Sequence, residues 1–174
     1  MNDLALKNVK DIRNGLLEAV SYWGWQERIC HDPDLQADFV STTYIKHNEE
    51  FCYTLTSSEK NRRIGIHVTS PIQVPKIRVA ETLIVSNYFN AQSATGAYYV
   101  SGAGDLCYKW TVSVFDGPVG VDAFRTLRDA GKKAFDETYN SFLTAAYTNK
   151  GAGEIIQNYQ LFWSKGGQPT AKRP

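Results

Sequence analysis

A chain of 174 residues with 43% hydrophobic and 21% charged side chains has the balance of an ordinary globular protein, not of a disordered segment. Nineteen basic side chains oppose eighteen acidic ones for a net charge of +1, so no strong field draws in a polyanion and nucleic acid is not an expected partner. No run approaches the roughly 18 apolar residues of a membrane span, Met1 to Lys10 lacks the apolar run of a secretory signal, and Cys30, Cys52 and Cys107 form no CxxC pair; a cytoplasmic location with reduced thiols is expected.

From about Leu4 to Trp23, the residues Val9, Ile12, Leu16, Val20 and Trp23 recur at three- and four-residue steps, the period of an amphipathic helix. Asn2 or Asp3 is placed to cap its start, and Gly24 stands where a helix end wants a left-handed residue. Gly15 in its interior costs roughly 1 kcal/mol against alanine, so packing has to hold this helix. Cys30-His31-Asp32-Pro33-Asp34 reads as a turn. A meander of three strands follows: Phe39 to Lys46, placed at an edge because it alternates poorly, then Phe51 to Thr56, then Ile64 to Thr69. Pro71 and Pro75 end the meander. Pro75 suits the opening of a helix whose Ile77, Ala80, Leu83, Ile84 and Tyr88 mark one face.

A strand from Ala97 to Ser101 and the tight turn Gly102-Ala103-Gly104 lead into the most regular pattern of the chain. Leu106, Tyr108, Trp110, Val112 and Val114 alternate with Asp105, Cys107, Lys109, Thr111 and Ser113, so one face of this strand is packed and the other is polar. Asp116-Gly117-Pro118 ends it. Val121 to Tyr147 reads as the longest helix, with Phe124, Leu127, Gly131, Ala134, Phe135, Phe142 and Ala146 on its buried side and Gly131 and Ala134 marking a close crossing. Ile155, Tyr159, Phe162 and Trp163 fit a last short helix, and Ser164 to Pro174 reads as a flexible tail. The expected architecture is α+β: a single domain over residues 1–163, with an antiparallel sheet of about five strands and helices packed on one face. The element order is α-β-β-β-α-β-β-α with one further helix.

The segment Val74 to Tyr147 resembles the YbjN family of bacterial putative sensory transduction regulators. The resemblance is an ordered series of features: the helix Val74-Pro75-Lys76-Ile77-Arg78-Val79-Ala80-Glu81, Asn87 and Asn90 near its end, Gly96 before Tyr98-Tyr99-Val100, and then the turn and second strand from Gly104 to Val114. Tyr108-Lys109 occupies a Tyr-Arg-like pair, and Val121 to Tyr147 stands for the long closing helix. About two-fifths of the chain is covered. The loop Ala91 to Thr95 departs from the family's usual pattern, and Ile155 to Trp163 is extra. The resemblance implies a type III secretion chaperone-like fold, often dimeric, and brings no catalytic residues with it.

The expected function is therefore a non-enzymatic interaction module, an adaptor, regulator or chaperone-like protein, forming a homodimer and binding a partner protein or peptide segment. The binding would use the polar sheet face, a helix groove or an exposed strand edge. On the polar face the small residues Thr54, Thr69, Thr111 and Ser113 leave a shallow groove with His67 and Lys109 as polar contacts. Trp25, past the end of the first helix, either closes the sheet edge or serves as a partner contact. No cofactor is expected. The alternative is a small-molecule or metal-binding domain on the same face, with Cys52, His67 and Cys107 as zinc ligands. Cysteine–histidine pairs from Cys52 and His67, or from Cys30 and His31, lack the oxyanion site and nucleophile turn that catalysis needs. Gly102-Ala103-Gly104 precedes a strand, whereas a phosphate-binding turn precedes a helix.

Overall fold

Strict alternation along Asp105–Ser113 and its neighbours builds a sheet with one greasy side, and the helical segments supply the layer that covers it. The computed structural model describes residues 3–25, 29–115 and 119–165. In chain order the elements are α1 (Asp3–Tyr22), β1 (Cys30–Asp32), β2 (Ala37–Lys46), β3 (Glu49–Ser58), β4 (Arg63–Gln73), a 3-10 turn (Lys76–Arg78), α2 (Val79–Gln92), β5 (Ala97–Val100), β6 (Asp105–Ser113), α3 (Val121–Ala134), α4 (Tyr139–Tyr147) and α5 (Ala152–Ser164). The six strands lie in the order β1-β2-β3-β4-β6-β5, each antiparallel to its neighbours. Val40, Phe51, Tyr53, Leu55, Ile64, Ile66, Val68, Leu106 and Tyr108 are buried on the side that meets the helices, with Trp110, Val112 and Val114 packed against that core. No described helix is long and apolar enough to cross a membrane.

Two glycines record how closely the helices approach. A Cβ on Gly131 of α3 would lie 2.5 Å from Ile66 Cδ1 and 3.0 Å from Val68 Cγ2, so the close crossing expected there is made against β4. A Cβ on Gly15 of α1 would lie 1.8 Å from the Val119 carbonyl oxygen, where the chain enters α3. Gly24, at φ +65°, leaves α1 as its sequence position requires.

Several expectations need correction. There are six strands, because His31 and its neighbours pair with Ala37–Phe39 instead of only turning. The turn proper begins at Asp32, whose Oδ1 accepts from the backbone N–H groups of Asp34 (2.9 Å) and Leu35 (3.0 Å). Since β1 covers only Ala37–Phe39, β2 is an edge strand for the rest of its length. β4 runs through Pro71 to Gln73 by a register shift, and the Ser70 hydroxyl donates to the Leu106 carbonyl at 2.8 Å within it. The long helix breaks at 135–138 into α3 and α4. The Ala134 carbonyl there accepts from the hydroxyls of Tyr98 and Thr138, and these take the place of a helical N–H.

The largest departure concerns α2. Its buried residues are Thr82, Val85, Ser86 and Phe89; of the expected apolar face Tyr88 packs against the core, while Ile77 (87% exposed), Ala80, Leu83 and Ile84 (54%) point out. Thr82 and Ser86 tolerate burial because each hydroxyl donates to the carbonyl four residues earlier, at 2.9 Å. The side chain of Val9, the capping role of Asn2 or Asp3, the terminator Asp116-Gly117-Pro118 and the tail from Gly166 onward lie outside the described residues.

Candidate functional site

Register places the polar residues of the outer sheet face in rows. Cys52 lies opposite Thr69, Thr69 opposite Cys107 and Cys107 opposite Tyr99. The next row is Ser41, Thr54, His67, Lys109 and Ala97, and the one after it Phe39, Thr56, Gly65 and Thr111. Gly65 forms a floor: a Cβ there would meet Thr56 Oγ1 at 3.0 Å, the Trp110 carbonyl at 3.1 Å and Thr111 Oγ1 at 3.3 Å. Over this floor lies a groove of about 540 Å³, lined by Thr54, His67, Lys109 and Thr111 together with Arg63 and Tyr99. Thr69 and Ser113 belong to the same face but lie outside the lining. Trp25 is not brought there: it is half-buried against the core, its ring 5.0 Å from that of Trp23.

Sequence reasoning missed Arg63, Gly65 and Tyr99. Tyr99 had a signal in its parity along Ala97–Val100, but which strand it would face depends on the β5–β6 register, and no local pattern gives that. The Tyr99 hydroxyl lies 2.7 Å from His67 Nε2. Burial first, and Cys107 beside it, push the phenol up to about 12, so it stays protonated and suits donation to a neutral imidazole. Burial pushes His67 below its ordinary value, the Lys109 charge adds to this, and Asp105 opposes it.

Below the ordinary value of 6.5 the unfolded chain takes up a proton that folded His67 resists, so stability is whole above that pH and falls as the pH drops through the folded value. His67→Gln removes the titration, so the acid limb of its urea-midpoint profile should be flatter than the parent's between about pH 7 and pH 5. Parallel limbs would contradict this account of His67.

The zinc alternative is not assembled. Cys52 and Cys107 are separated by β4, so their strands stand about 9.6 Å apart, whereas a shared zinc at ~2.3 Å from each sulfur needs the thiolates within about 4 Å. Cys107 Sγ rests 3.9 Å from Thr69 Oγ1. Among the described residues no group of three His, Cys, Asp or Glu side chains is arranged to hold a metal. His67 Nε2 is engaged by the Tyr99 hydroxyl, and His31 Nδ1 lies 3.0 Å from Asp38 Oδ1.

Two other features surround the sheet. β5 pairs only with Leu106–Lys109, so among the described residues the outer edge of β6 from Thr111 to Ser113 faces no strand. The Val114 N–H donates to Arg62 on the β4 side at 2.8 Å, and by alternation the backbone groups of Thr111 and Ser113 point the other way, to the open edge. Further along, the outer backbone groups of Tyr98 are occupied by Asn90: its Oδ1 accepts from the Tyr98 N–H at 2.7 Å and its Nδ2 donates to the Tyr98 carbonyl at 3.0 Å. On the helix side, a groove of about 640 Å³ lies between α2, α3 and the sheet, with Tyr98, Tyr108, Trp110 and Tyr159 in its wall.

Among solved structures, a chain in the crystal structure of the ExsC–ExsE complex is similar, with a TM-score of 0.50 at 10% sequence identity, covering 75% of this chain and 93% of that one. The likeness is one of fold, and it agrees with the type III secretion chaperone-like α+β arrangement expected from the sequence. No family model matches the chain, and no curated protein matches it in sequence.

Proposed function

We propose that this protein is a non-enzymatic, chaperone-like interaction module that captures a segment of a partner protein on the polar face of its sheet. The observation that carries the reading is the uncovered groove over Gly65. The described helices supply the layer on the opposite face, and four of the residues expected to make contacts line one continuous depression. Hydroxyls both donate and accept, so Thr54, Thr56, Thr111 and Ser58 suit the amides and carbonyls of an extended segment. The fold shared with a chain of a two-protein complex supports the same reading. Kinship with the YbjN family, a single domain whose last helix closes at Ser164, and a cytoplasmic location complete it. The ordered residue series from Val74 to Tyr147 supports the kinship, and the near-neutral charge gives no support to nucleic-acid binding.

Thr54→Arg and Thr111→Arg put bulk and charge on the outer face, away from the side of the sheet that meets the helices. Affinity capture from the host should lose its specific partner with either variant while thermal stability stays at the parent level. Recovery of the same partner in equal yield would contradict the proposal.

A homodimer is part of this reading. Ile77, Ala80, Leu83 and Ile84 form an outward apolar stripe on and before α2, and a two-fold axis would set this stripe against its own copy. A stable dimer buries on the order of ~800 Å² per subunit, so one buried charge at the centre is disruptive. Ile84→Asp should halve the solution mass measured by light scattering without unfolding the chain; an unchanged dimer mass would place the interface elsewhere.

A further inference from the structure

We infer that the segment received by the sheet groove is extended and acidic, with two carboxylates four positions apart seated by Lys109 and Arg63. This inference rests on the capture reading above and gives its partner a chemistry. Among the described residues the charged side chains lining the groove are Lys109 and Arg63, with no aspartate or glutamate. Both cations are exposed, and among the described residues neither makes an ion pair. Along β6 from Lys109, Asp105 at the far end of the strand is occupied: it accepts from the Ser101 hydroxyl at 3.0 Å and from the Gln73 side chain. The groove thus presents two uncompensated positive charges in a setting of neutral hydroxyls.

Their spacing selects the occupant. Lys109 stands opposite His67, four residues along β4 from Arg63, so the two cations lie about 13 Å apart along the strand direction. An extended chain repeats every second residue on one face, and positions four apart on it span the same ~13 Å, whereas in a helix they lie only about 6 Å apart. A segment running along β4 and β6 therefore sets its first and fifth side chains over the two cations and its third over Gly65, where the floor is lowest. The C-terminal residues of this chain are unsuited to the place: Lys165, Lys172 and Arg173 are basic, and no acid lies among them. A partner protein is the occupant that the charge pattern fits.

The test uses the full chain and a fluorescein-labelled peptide of alternating threonine and valine carrying two glutamates four positions apart. Comparison peptides carry the glutamates adjacent, or lysines in their place. The spaced-glutamate peptide should bind best by fluorescence anisotropy and weaken on raising salt from about 0.05 M to about 0.5 M. Lys109→Glu and Arg63→Glu should each weaken it by about tenfold or more, through loss of one charge-assisted contact and gain of a repulsive one. Gly65→Val, which raises the floor, should weaken all peptides alike. Equal affinity for the glutamate and lysine peptides would overturn the acidic assignment even where Thr111→Arg still abolishes partner capture, so that failure is separable from failure of the capture reading. Equal affinity for a thymidine oligonucleotide of matched charge, with the same variant dependence, would also overturn it by making the groove a general polyanion site.

Discussion

Replacing Gly15 with alanine is expected to destabilise the protein by about 3 kcal/mol or more, against the roughly 1 kcal/mol by which alanine is the better helix former. The opposing signs make the result diagnostic. In an isolated helix the change stabilises; here the new Cβ would lie 1.8 Å from the Val119 carbonyl oxygen and 3.3 Å from Phe124 Cε2. The contact is with backbone, so no rotamer change relieves it, and α1 must move off the entrance to α3. Ile12, Leu16, Ala19 and Val20 hold α1 to the core, and all four lose packing if the helix shifts. Urea unfolding of the parent and variant measures the difference, and a domain of this size should lose about 6–12 °C in thermal midpoint. A midpoint equal to or above the parent's would show that α1 does not sit against Val119.

Asn90→Ala is the second large effect, expected to cost about 3 kcal/mol. The carboxamide makes the two hydrogen bonds that a neighbouring strand would give Tyr98, and its loss leaves a backbone donor and a backbone acceptor without partners beside a residue that is 7% exposed. Tyr98 in turn packs on Phe89, Tyr108, Phe135 and Phe142, and its hydroxyl donates to the Ala134 carbonyl that ends α3. One side chain at the end of α2 therefore ties the edge strand to the joint between α3 and α4. Amide hydrogen exchange should speed up at Tyr98 and across Ala97–Val100 by about a hundredfold in Asn90→Ala, and less in Asn90→Asp, which keeps the acceptor. Unchanged exchange at Tyr98 in the alanine variant would mean that the edge is held by the sheet alone.

What was legible in the sequence is what short-range periodicity encodes. The inward set Leu106, Tyr108 and Trp110, the outward set Lys109, Thr111 and Ser113, the glycine exit of α1 and the close crossing at Gly131 all follow from side-chain alternation or helical spacing, and the structure places them so. The candidate contacts Thr54, His67, Lys109 and Thr111 shared a face because parity is local. Features set by pairing across the chain were not legible. Parity gives a residue's face but not its strand's neighbours, so it did not show that β4 stands between Cys52 and Cys107. Apolar spacing on α2 selected Ile77, Leu83 and Ile84 as the packed face, while the small hydroxyl residues Thr82 and Ser86 fit the narrow space beneath the helix and went inside. The break after Ala134 depends on Tyr98, thirty-six residues earlier, and no window over Val121 to Tyr147 contains it.

Site-specific photocrosslinking tests most directly the claim that the uncovered side of the sheet receives the partner. A benzophenone side chain placed at Thr54 or Thr111 should give a covalent adduct with the captured partner, and the same group at Asn140 on α4 should give none. Adducts from Asn140 with none from either sheet position would put the partner on the helical side and contradict the account.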